Sequence, residues 1–137
     1  MIESNVSAVL ILGMHRSGTS LVAQACAAAG ISPGPPGDLL AAQSDNPLGF
    51  YENRYLVEIN DQFLKSAEAS WFSPAEESSW DSLPGDSLKH RVDSLLKSLA
   101  AYEGSTYLLK DPRLCLTYPA WKPSLKGHEF VFVYRSP

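Results

Sequence analysis

Residues 13–20 read GMHRSGTS. Gly13 and Gly18 have four residues between them, and two hydroxyls, Thr19 and Ser20, follow. A phosphate-binding loop wants Gly, four residues, Gly, Lys and then Ser or Thr. Here Thr19 takes the lysine position, and the cation has moved to Arg16. The physics of anion binding survives that change. Two glycines let the backbone curl so that successive N–H groups converge on an anion. A helix starting near Gly18 adds its positive end. Thr19 and Ser20 offer hydroxyl donors, and Arg16 a planar guanidinium fork.

Three further stretches carry reactive side chains. LLKDPRL places Lys110, Asp111 and Arg113 around one turn, NPLGFYEN delivers Glu52 at the expected start of a helix, and FVYRSP ends with Arg135. GMHRSGTS, KDPR and YRSP each directly follow an expected strand. Open α/β sheets bind ligands outside the carboxyl ends of their strands, so the three point to one site.

The elements that must position these residues follow from apolar patterning. SAVLIL, residues 7–12, is a continuous apolar run ended by glycine, the pattern of a strand buried on both faces. Residues 18–29, rich in alanine and stopped by Gly30, read as a helix. Proline and glycine make 32–38 a loop, and DNPLG at 45–49 a turn. Tyr51, Tyr55, Ile59 and Phe63 recur every four residues, with Leu56 and Leu64 beside them, and predict one face of an amphipathic helix. Residues 69–81, with Trp71 and Trp80, read as a covering loop. A helix over about 84–103 carries the stripe Leu88, Val92, Leu95, Leu96 and Leu99, and Gly104 ends it. Residues 106–109 form a second strand, Asp111-Pro112 a helix start, and 128–134 a third strand with the composition of a buried one. This order is the grammar of an α/β fold with a mostly parallel sheet.

HRSGTS after a buried strand resembles the 5′-phosphosulfate-binding loop of the sulfotransferases, whose common form is Lys/Arg-Ser-Gly-Thr-Ser/Thr; Arg16 to Ser20 match it. FVYRSP resembles the opening of that family's second signature, a late strand ending in an arginine. The resemblance implies a P-loop NTPase-like three-layer α/β fold and 3′-phosphoadenosine 5′-phosphosulfate (PAPS) as sulfuryl donor, with no metal. It implies that His15, Arg16, Ser17, Gly18, Thr19 and Ser20 hold the phosphosulfate and that Arg135 binds the 3′-phosphate. Charge then builds on the 5′-phosphate leaving group, where Arg16, the backbone N–H groups and the two hydroxyls lie. The second signature is unfinished at Pro137, so residues 1–137 are expected to be the N-terminal portion of a longer sulfotransferase domain.

The acceptor, a hydroxyl or amine, must lose a proton. Many cytosolic sulfotransferases carry Lys-Thr-His after a strand. Here Lys110 matches the lysine, but Pro112 stands in place of the histidine. Glu52 becomes the first candidate base, since its surroundings resemble the Asn-Pro-x-Gly-aromatic-x-Glu pattern of some bacterial members; Asp111, also readable as a helix cap, and His15 follow. Lys110 is expected to stabilise the transferring sulfuryl group and Arg113 to orient a substrate. Glycan, lipid, small alcohol and peptide acceptors stay open.

Two other readings stand beside this one: a P-loop kinase or NTPase with a displaced cation, and a non-catalytic nucleotide-binding fragment. The net charge of −4 gives no footprint for nucleic acid. The sequence contains no apolar run long enough to span a bilayer. Cys26 and Cys115 form no CxxC and sit among apolar residues, so two buried free thiols in a reducing cytoplasm are expected.

Overall fold

The computed structural model describes residues 7–14, 17–42, 44, 49, 51–67, 86–102 and 106–136. Within them the chain forms an α/β fold around a parallel sheet of three strands: β1 (Ala8–Leu12), β2 (Tyr107–Lys110) and β3 (His128–Phe132), in the order β2-β1-β3. Four helices accompany it: α1 (Thr19–Ala28), α2 (Arg54–Ser66), α3 (Asp86–Tyr102) and α4 (Leu114–Trp121). None of the described helices is long and apolar enough to cross a membrane.

β1 is central and buried along its whole length, which is why it reads as apolar without alternation. Its side chains divide between two faces. Val9 and Ile11 pack with Leu108 and with Ala23 of α1, whose small side chain lets the helix lie close. Ala8, Leu10 and Leu12 pack with the stripes of α2, α3 and α4. The sheet is therefore the middle of three layers. The expected α3 stripe, Leu88, Val92, Leu95, Leu96 and Leu99, is buried as a unit.

Several expectations need correction. Of the expected apolar face of α2, Leu56, Ile59, Phe63 and Leu64 are buried, but Tyr51 and Tyr55 do not belong to it. Asn53 caps the helix by accepting the Tyr55 N–H at 3.0 Å, and the buried face is Leu56, Ile59, Asn60, Phe63 and Leu64. Tyr51 lies outside the helix and Tyr55 is 44% exposed. Asp111-Pro112 does not begin α4, which starts at Leu114. The loop at 32–38 contains a bridge from Ser32 to β2 and a 3-10 turn at Pro36–Asp38. β3 is not a core strand. It pairs with β1 alone among the described strands, and Glu129 and Phe132 are exposed. Composition marks a strand but does not say where in a sheet it sits. Cys115 is exposed rather than buried, and Cys26 is half-buried. The expected loop at 69–81, Gly104, and His15 and Arg16 lie outside the described residues.

The end of β1 and the segment after β3 meet closely. Val133 N–H donates to the Leu12 carbonyl at 2.9 Å. A Cβ on Gly13 would come within 2.6 Å of the Val133 carbonyl oxygen and 2.7 Å of Thr19 Cγ2. Gly13 is thus required by contact rather than by its own dihedral angles. Gly13→Ala should destabilise the fold by about 1–3 kcal/mol, as overpacking does. A urea melt checks this; an unchanged midpoint would show that β3 does not press on this turn.

Candidate functional site

Because both strand pairings are parallel, the carboxyl ends of β1, β2 and β3 lie along one edge of the sheet. β1 is flanked by β2 on one side and β3 on the other; α1 covers one face of the sheet, and α2, α3 and α4 the other. Open α/β sheets bind ligands in the crevice outside the carboxyl ends of their strands. Gly13 to Ser20 start there.

The loop from β1 folds back on itself: Ser17 donates to the Met14 carbonyl through its Oγ at 2.6 Å and through its N–H at 3.3 Å. Gly18 then adopts φ 99°, a left-handed conformation suited to glycine, and begins α1 with no side-chain cap. Thr19 is buried. Ser20, in the first turn of α1, directs its Oγ to the end of β2, where Lys110 Nζ lies 3.2 Å away.

Lys110 also meets Glu52. Their Nζ and Oε1 are 2.9 Å apart, with side chains 2% and 6% exposed. Glu52 reaches this position through an unusual backbone. The preceding Tyr51 has φ 57°, the sole described non-glycine residue with positive φ. Its ring packs beside the Val9 and Ile11 cluster on the α1 side of the sheet. A left-handed aromatic residue stores strain of order 1 kcal/mol. The turn thereby sends Tyr51 to one face and Glu52 inward, and α2 starts two residues later. Glu52 is therefore not a first-turn residue of that helix.

Burial pushes the Glu52 carboxyl above its ordinary value of 4.5; Lys110, by charge and hydrogen bond, offsets this only in part. A carboxylate with raised proton affinity, held at the crevice edge, is equipped to take a proton.

Behind this pair sits a second polar group that the sequence reading did not find. Asn60, fully buried on α2, donates through Nδ2 to Asp111 Oδ2 at 2.8 Å. Its Oδ1 accepts from Thr117 Oγ1 at 2.8 Å and Trp121 Nε1 at 2.7 Å, both on α4. Asp111 Oδ1 accepts from the Arg113 N–H at 3.2 Å and from Arg113 Nη1 at 3.0 Å. Both Asp111 oxygens are thus engaged in holding the turn between β2 and α4, which argues against Asp111 as a base. Arg113 reaches α2 as well, its Nε 2.8 Å from Asp61 Oδ1. Burial alone would lower the guanidinium pKa, but Asp111 and Asp61 beside it raise it above the ordinary value. The one signal in the sequence was Asn60 itself, a polar residue between Leu56 and Leu64 on an apolar stripe.

The structure therefore joins Ser20, Lys110 and Glu52 in contact, with Arg113 tied to them through Asp111. Arg135 is exposed on the segment after β3. His15 and Arg16 are outside the described residues. Among the described residues no three His, Cys, Asp or Glu side chains gather as a metal-ligand group.

The pair predicts an asymmetry. Lys110→Met strands the Glu52 carboxylate without its cation, and should lose about 3–5 kcal/mol at neutral pH. Because the folded pKa of Glu52 is raised, its favourable contribution is present below the ordinary 4.5 and fades as pH rises through the folded value. The Lys110→Met loss should therefore shrink in acid. Glu52→Gln should be far milder, since burial already disfavours the charge. Urea melts at neutral and acidic pH check both; equal losses for the two variants would contradict this account. Comparison with protein-family models, curated proteins and solved structures finds no match to this chain, so the residues at this crevice carry its functional reading.

Proposed function

We propose that this chain is the donor-binding portion of a PAPS-dependent sulfotransferase on a P-loop NTPase-like fold, transferring a sulfuryl group to a hydroxyl or amine acceptor. The observation that carries this reading is the buried Lys110–Glu52 pair, set against Ser20 in the first turn of α1. A buried cation and carboxylate beside a phosphate-type loop that lacks the nucleotide-hydrolase lysine support this reading.

In this reading PAPS lies with its phosphosulfate over Ser17 to Ser20 and Arg16, and with its 3′-phosphate against Arg135. The acceptor oxygen or nitrogen attacks sulfur, and the bond from sulfur to the 5′-phosphate oxygen breaks. Glu52 takes the acceptor proton, and 3′-phosphoadenosine 5′-phosphate leaves. Lys110 stabilises the negative charge on the transferring sulfuryl group, and Arg16, the backbone N–H groups and the Thr19 and Ser20 hydroxyls that on the departing phosphate. As Lys110 turns toward the sulfuryl group, Glu52 loses some of its attraction to the cation, so its proton affinity rises as the acceptor deprotonates. Positioning and electrostatics supply most of the rate. Both cysteines are free thiols, which fits a reducing compartment such as the cytoplasm.

A thermal melt tests the donor site. At a hundred times its dissociation constant, 3′-phosphoadenosine 5′-phosphate should stabilise the fold by about 2.7 kcal/mol, or roughly 8 °C. AMP should do much less, and Arg135→Ala should remove the difference between them. A rise with ATP–Mg²⁺ alone would favour the kinase reading, and no rise with any nucleotide a non-catalytic fragment. Arg16→Ala should weaken bisphosphate binding roughly tenfold or more, the loss of a charged hydrogen bond.

Turnover tests the base. Glu52→Gln should bind the bisphosphate as the parent does but transfer no sulfuryl group. The parent rate should climb with pH through an apparent pKa above the ordinary 4.5 of a glutamate. Retained turnover in Glu52→Gln would remove Glu52 from the mechanism.

A further inference from the structure

The opposite edge of the sheet holds a cavity that the crevice chemistry does not use. Its volume is about 780 Å³, within the roughly 300–1,000 Å³ that holds a drug-sized molecule. Ser7 lies just before β1, Tyr107 begins β2, and Lys126 lies two residues before β3; all three line the cavity. It therefore opens at the amino ends of the strands, across the sheet from Gly13 to Ser20. α3 supplies one wall through Asp93, Leu96, Lys97 and Ala100, residues that fall on one face at helical spacing.

The lining has a definite chemical character. Leu96 and Tyr107 are buried and form an apolar floor, and most of the lining is apolar. The rim is cationic. Lys89, Lys97 and Lys126 face a single carboxylate, Asp93. That carboxylate is already taken up by Lys89 at 2.9 Å. Lys97 and Lys126 have no ion-pair partner among the described residues, although the chain as a whole is acidic. An acidic protein that gathers uncompensated ammonium groups over an apolar hollow offers a local complement to negative charge.

We propose that this cavity binds a small organic anion, one acidic group on an aromatic or aliphatic body, at a site separate from the nucleotide crevice. The body fills the floor over Leu96 and Tyr107, and Lys97 and Lys126 meet the acidic group. Long lysine stems suit this arrangement, because they line apolar surface while their heads stay at the wet rim. The proposal does not depend on the donor assignment.

The test uses 8-anilinonaphthalene-1-sulfonate as probe, titrated by fluorescence into the natively folded chain at low salt. Its uncharged relative N-phenyl-1-naphthylamine is the control for the apolar body. One probe should bind per chain, more tightly than the control, and added salt should weaken it. Lys97→Gln and Lys126→Gln should each reduce affinity roughly threefold to fivefold, as loss of an exposed charge contact does, and together by about tenfold or more. Both lysines are exposed, so neither variant should alter the melt, and 3′-phosphoadenosine 5′-phosphate should not displace the probe. Absence of probe binding overturns the proposal. So does binding that ignores both lysine changes, that the neutral control matches, or that the bisphosphate displaces.

Discussion

The contact between Lys110 and Glu52 is where the layers of this protein are forced to agree. Lys110 ends β2, Glu52 precedes α2, and Ser20 lies in the first turn of α1. Two opposite charges removed from water must lie close together, or each retains a desolvation penalty of several kcal/mol. That requirement fixes how far β2 runs, how the chain enters α2 and where the first turn of α1 sits. It also explains why strain is accepted at Tyr51. The left-handed backbone there separates a ring and a carboxylate that would otherwise compete for the same side of the chain.

Asn60 acts more quietly, in the layer beneath. Its amide is amphoteric, and each end is used: the nitrogen steadies Asp111, and the oxygen gathers two donors from α4. A leucine of similar size would fill the space but leave the indole N–H, the Thr117 hydroxyl and the Asp111 carboxylate short of partners. The apolar layer under the crevice is thus organised around one polar residue. Here a fully satisfied polar group confers a specific arrangement rather than bulk stability.

What could be read from the sequence followed from the range of the signal. β1, α1 and α3 were legible because an unbroken apolar run, an alanine-rich stretch and a clean stripe are local properties. Ser20, Glu52, Lys110 and Arg113 could be singled out by residue type and by their place after strands. Their mutual contacts could not, since Glu52 and Lys110 are 58 residues apart and only the fold closes that distance. The start of α2 was misplaced because Tyr51 and Tyr55 mimic helical spacing while the cap at Asn53 decides the matter. The position of β3 at one end of the three described strands was also out of reach, because strand order is settled by crossover connections and not by composition.

β1 has a consequence for the order in which the chain can mature. It precedes both of its partners in the chain and is the strand on which they assemble, yet β2 and β3 begin about 100 and 120 residues later. At roughly 5–20 residues per second of synthesis, the five apolar residues of β1 wait about 5–20 s for a hydrogen-bonding partner to be made. The sheet therefore cannot form by local zipping, and closure of two long loops sets its pace. During that interval a nascent Ala8–Leu12 segment is the region of the molecule most in need of shelter from other chains, and α1, directly behind it, is the nearest element able to give it.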